Sequence, residues 1–114
     1  MLNFQNLNAK ELAKAGITFK TEADTRRFAD IILEELQLRI GNEIASLLTR
    51  AQLNEFDMTV DMEEAKEWLN KNCPDHPLIV RKQEEKMFEE LIQYAPEIME
   101  AQQEYRTHYE IVKR

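Results

Sequence analysis

The chain has 114 residues, 43% of them hydrophobic, with 22 acidic and 15 basic side chains and a formal net charge of −7. That length suits one domain, and the apolar content is too high for a disordered acidic chain. The negative charge disfavours nucleic acid and anionic membrane surfaces as partners, the lone cysteine excludes an intrachain disulfide, and no stretch approaches the roughly 20 apolar residues of a membrane span.

Two glycines and three prolines punctuate the whole sequence. Sheets and turn-rich folds need more reversals than that. The expectation is an all-α protein, a small bundle of about five helices. Asn8 followed by Glu11 forms a capping-box-like start, and Gly16 serves as the stop, which predicts a short helix over 9–15. Thr21 with Asp24 caps the next, over 22–48, where Phe28, Ile32, Leu36, Ile40, Ile44, Leu47 and Leu48 recur at helical spacing on one face. Gly41 falls inside that stretch. It reads either as a tolerated glycine or as the mark of a close helix crossing or a break. Thr49 and Gln52 form a second capping box, opening a helix over 50–57 with Leu53 and Phe56 inward. Asp61 and Glu64 form a third, opening 62–72 with Ala65, Trp68 and Leu69 on one side. Cys73 precedes Pro74, and a residue before proline is pushed out of the α region.

Asp75 then caps a final helix that holds Pro77 in its first turn. Its apolar stripe runs Val80, Met87, Phe88, Leu91, Tyr94, Ala95, Ile98, Ala101, Tyr105, Tyr109 and Val112, interrupted by Glu84, Gln102 and His108. The stripe keeps phase across Pro96, and no capping residue stands just before that proline. One long helix kinked near Pro96 is therefore expected. About 35 helical residues span roughly 50 Å, against a radius of gyration near 13 Å for a domain of about 100 residues. The helix would overhang a helical core of residues 1–95. Either the extension 96–114 covers its apolar face with a second copy, giving a homodimer through 97–112, or it packs back on the core.

The middle of the chain carries the pattern Leu53-Asn54-Glu55-Phe56-Asp57, then Glu63-Glu64-Ala65-Lys66-Glu67-Trp68-Leu69, then a break at Pro74 and a Glu/Lys-rich helix. This resembles a family of short bacterial all-helical proteins of unknown function, over roughly residues 28–92. The resemblance implies an all-helical fold and transfers no catalytic residue. The chain beyond Pro96 departs from the pattern.

Chemistry-bearing groups are sparse. Cys73 and His76 stand three apart, but two ligands with no second cysteine do not close a zinc site. Glu104 and His108 are four apart, where a di-iron bundle needs Glu-x-x-His. The acidic run Asp57 to Glu64 lacks the glycine and the alternating oxygens of a calcium loop, because Met58, Val60 and Met62 interrupt it. There is no glycine-rich phosphate cradle and no nucleophile motif. No catalytic, cofactor or metal residue is expected.

Residues 61–104 hold 12 acids against 5 bases. That is a solvated helical face, or an acidic docking surface for a basic partner. The leading expectation is a non-catalytic helical protein–protein interaction module that self-associates. Its interface would be Tyr94, Ile98, Ala101, Tyr105, Tyr109 and Val112, with tyrosines of the kind interfaces favour. A partner is a second copy or another protein, with no nucleic acid, membrane or cofactor. The alternative is a regulatory or ligand-binding bundle in which Met58, Met62, Met87 and Met99 line an apolar pocket. Residues 1–16 hold no apolar run of signal-peptide length, so the expected location is the cytoplasm.

Overall fold

The computed structural model describes the backbone of residues 1–113 and the side chains of residues 1–102. Short polar side chains set the helix starts. Asn8 Oδ1 accepts from the Glu11 N–H at 3.0 Å and opens α1 (Ala9–Lys14). Thr21 Oγ1 accepts from the Asp24 N–H at 3.1 Å and opens α2 (Glu22–Leu47). At α3 (Arg50–Asp57) the box is reciprocal: Thr49 Oγ1 accepts from the Gln52 N–H at 3.2 Å, and Gln52 Oε1 accepts from the Thr49 N–H at 2.9 Å. Asp61 Oδ1 accepts from the Glu64 N–H at 2.8 Å to open α4 (Met62–Asn72). Glu64 reaches back one residue further than a standard box, to the Val60 N–H at 3.2 Å. At α5 (His76–Lys113) it is the Asp75 carbonyl that accepts, from the Leu78 and Ile79 N–H groups at 3.0 and 3.3 Å. Among the described residues there is no strand, and the small all-α bundle expected from the sequence is what forms.

Two features refine the expected helices. Gly41 sits inside an unbroken α2, and a Cβ there would meet nothing within 4 Å, so it marks neither a break nor a close crossing. α5 continues through Pro96. The missing proline N–H leaves the Ile92 carbonyl without its helical donor. Ile92 is 48% exposed, so solvent can reach that end of the turn.

The chain divides into two compact units, Met1–Leu33 with Glu85–Arg114, and Glu34–Glu84. The first unit buries Leu2, Phe4, Leu12, Ala15, Ile17, Ala29, Met87, Leu91 and Ala95. Its organising device is the end of α1. The Ile17 N–H bonds the Leu12 carbonyl at 3.1 Å, and the Gly16 N–H bonds the Ala13 carbonyl at 3.0 Å, with Gly16 at φ +83°. This is the Schellman arrangement, which brings a hydrophobic residue after the glycine back toward one in the last turn. Leu12 and Ile17 are those residues, and both are 0% exposed. A 3-10 turn at Phe4–Asn6, absent from the sequence reading, is capped by Asn3 Oδ1 accepting the Gln5 N–H and carries Phe4 inward.

The second unit is built more thinly. Ile44, Cys73 and Ile79 form its buried cluster, with Ile40, Leu48 and Leu69 packed against it. Leu36 is buried as well, whereas α3 and α4 bury no residue fully. Those two helices are joined by the Phe56–Trp68 ring pair, with centroids 5.3 Å apart, and by Trp68 Nε1 donating to Glu55 at 2.9 Å. Glu43 receives hydrogen bonds from Lys82 Nζ and Gln83 Nε2, both at 2.8 Å, tying α2 to the start of α5. Leu47 was expected inward but stands 63% exposed. Leu47 and Leu48 are a helical step of about 100° apart, and Leu48, one turn beyond Ile44, takes the inward place.

Candidate docking cleft

An apolar recess lies within the first unit, among the described residues. Phe19, just before the Thr21 cap, meets Phe28 of α2 with ring centroids 5.1 Å apart and planes tilted by 43°. That is a favourable tilted aromatic geometry. Asp24, Arg27, Phe28 and Ile31 follow at helical spacings of three and four, so one side of α2 presents the aromatic ring, an aliphatic chain and one charge of each sign. Ile98, Ala101 and Gln102 share a side of α5 by the same spacing. Thr18, in the segment before α2, is tied to α5: its N–H points at Met99 Sδ at 3.4 Å, and its carbonyl accepts from Gln102 Nε2 at 3.3 Å. Between these walls is an open cleft of about 490 Å³, lined by Phe19, Phe28, Ile31, Ile98 and Ala101, with Asp24, Arg27 and Gln102 as its polar members. Ile31 is 57% exposed. A neighbouring hollow of about 620 Å³ is more polar and carries Lys20, Glu22, Arg26 and Asp30.

The sequence-named interface residues fall as follows. Ile98 and Ala101 line the cleft, and Tyr94 is 47% exposed on α5. The side chains of Tyr105, Tyr109 and Val112 lie outside the described residues. The buried line of α5 in this unit is Met87, Leu91 and Ala95. Tyr94 and Ala101, grouped with that line in the sequence, therefore sit on the solvent side of it. Phe19, Ile31, Asp24 and Arg27 line the cleft without having been expected there from the sequence. Phe19 precedes its helix and Ile31 is out of phase with the α2 core face, so neither carries a periodic signal.

Neither Glu11 nor Glu84, whose carboxyls shift, lines the cleft. A hydrogen bond from Lys14, 2.7 Å away, holds the Glu11 carboxyl below the usual range, aided by the Lys14 charge and the Asn3 backbone and opposed by desolvation. Burial pushes Glu84 up, with Arg81 opposing. Cys73 ends α4 at φ −140° and ψ 69°, outside the α region as its following proline requires. Its side chain is buried in the Ile44–Ile79 cluster, and His76 Nδ1 lies 3.1 Å from the Cys73 carbonyl oxygen. Among the described residues, no three His, Cys, Asp or Glu side chains group as metal ligands. Of the methionines, Met58 and Met62 are 80% and 89% exposed, and Met87 is a core residue at 3%. No helix of the described residues is long and apolar enough to cross a membrane.

A family model described as "Protein of unknown function (DUF5663)" matches residues 12–91. The matched span contains the Leu53–Asp57 and Glu63–Leu69 segments and stops short of Ile98 and Ala101. No curated protein and no solved structure matches the chain.

Proposed function

The chain belongs to that family of unknown function, matched over residues 12–91, and from its residues we propose a non-catalytic helical interaction module that self-associates through the cleft of the first unit. The observation that carries this reading is the cleft itself. It is apolar at its centre, has an exposed Ile31, and is walled by two residues of the α5 stripe, Ile98 and Ala101. A helix stripe and a recess on the same unit are the two halves of an isologous contact, in which residue i of one copy meets j of the other and the reverse. Asp24 and Arg27 on the rim suit a second copy, because a twofold axis sets the acid of one protomer against the base of the other. This local complementarity opposes the self-repulsion of a chain carrying −7. In the sequence, Tyr94, Tyr105, Tyr109 and Val112 continue the spacing of Ile98 and Ala101. The buried, unpaired thiol of Cys73 fits a protein working in the cytoplasm.

Sedimentation equilibrium tests the reading. The full chain should behave as a dimer of 13.5 kDa protomers. Ile31→Glu should shift it to monomer. Arg27→Asp and Asp24→Arg should each weaken the dimer, and together restore it. A monomeric wild type, or a dimer indifferent to Ile31→Glu, removes the proposal.

A further inference from the structure

The second unit carries a different surface, in the loop between α3 and α4. Met58, Val60 and Met62 are 80%, 85% and 89% exposed. Single exposed apolar residues are ordinary, but three within five residues form a patch. The loop is held by local bonds rather than by these side chains. Thr59 donates from both Oγ1 and its N–H to the Phe56 carbonyl, at 2.7 and 3.0 Å, and the Val60 N–H is taken by Glu64. The three apolar groups are thus free to meet a partner without loss to the fold. Between the exposed bases Arg50 and Lys66, every charged residue is an acid: Glu55, Asp57, Asp61, Glu63 and Glu64, all exposed.

We propose that this loop is a docking point for a basic amphipathic helix of another protein, whose apolar stripe meets Met58, Val60 and Met62 while its lysines or arginines face the surrounding carboxylates. Methionine suits this role, since its unbranched, polarizable side chain adapts to stripes of varied shape. The five carboxylates select a cationic partner by charge complementarity and steer its approach. They also oppose insertion into an anionic membrane. The surface is separate from the cleft proposed for self-association, and each can fail without the other.

The natural reporter is Trp68, the only tryptophan, which packs against Phe56 of α3. A tryptophan-free helical peptide of leucine and lysine is titrated into the full chain, followed by Trp68 emission and by calorimetry. A glutamate–leucine peptide of the same pattern and neutral phospholipid vesicles form parallel arms. The lysine peptide should bind, more weakly as salt rises, and the glutamate peptide and vesicles should not. Met58→Ser/Val60→Ser/Met62→Ser, at positions too exposed to affect folding, should weaken binding by about tenfold or more as three apolar side chains leave the contact. Its melting temperature should match wild type. Absence of binding, binding of the glutamate peptide or the vesicles, or lysine-peptide binding undiminished in the triple variant would overturn the proposal, the last by reducing it to plain charge attraction.

Discussion

The two units are stabilised differently. In the first, residues distant in sequence share one core: Leu2, Phe4, Leu12 and Ile17 are buried in the same unit as Met87, Leu91 and Ala95. In the second, α3 and α4 bury nothing fully and rest more on their own ends, the Thr49–Gln52 box and the Asp61 cap, with the Phe56–Trp68 ring pair and the Trp68–Glu55 hydrogen bond between them and Leu69 against the Ile44 cluster. Core burial is worth several kcal/mol per side chain and a cap about 1 kcal/mol. Local opening should therefore be cheaper in the second unit. The difference extends to the surfaces: the cleft has walls fixed by packing, and the Met58–Met62 loop rests on local hydrogen bonds.

Paired substitutions test that contrast. Leu12→Ala, at a fully buried site, should cost about 2–5 kcal/mol in urea unfolding, and Thr49→Ala about 1 kcal/mol. Equal losses would dissolve the distinction. The glycines should move stability in opposite directions. Gly16→Ala forces a side chain onto φ +83° and should destabilise by about 1–2 kcal/mol. Gly41→Ala, in open space inside α2, should stabilise by about 1 kcal/mol. A loss at Gly41 would mean that it serves a contact other than its helix. The smallest effect concerns pH. The folded pKa of Glu11 lies below its unfolded value, so the unfolded state binds more protons between the two. The contribution of the Lys14 pair is present above that window and disappears as pH falls through it. Lys14→Met should raise the Glu11 pKa in an NMR titration and flatten this acid dependence; an unmoved pKa would assign the shift to the Asn3 backbone instead.

Much of the fold was legible because helix ends obey local rules. Asn8, Thr21, Thr49 and Asp61 each accept the N–H three residues on, as spacing alone predicts. The burial of Ile17 was available too, since a glycine stop implies a hydrophobic residue after it paired with Leu12. Leu2 and Phe4 were not legible, because a 3-10 turn is too short to show a period. The cleft was half visible. Ile98 and Ala101 belong to a stripe readable along one helix. Their facing wall, Phe19, Phe28 and Ile31, is set by which side of α2 meets α5 within the first unit, and periodicity along one segment cannot report that. The exposure of Met58 and Met62 was hidden for a related reason: methionine is commonest in cores, and only the placement of the α3–α4 loop turns these two outward.

The claim that this chain self-associates through its first unit is tested most directly by methyl NMR across a dilution series. The methyl resonances of Ile31, Ile98 and Ala101 should move with concentration, while those of Ile44 and Ile79 in the second unit stay fixed. Resonances that do not move at any concentration, or that move only at Met58, Val60 and Met62, would contradict it.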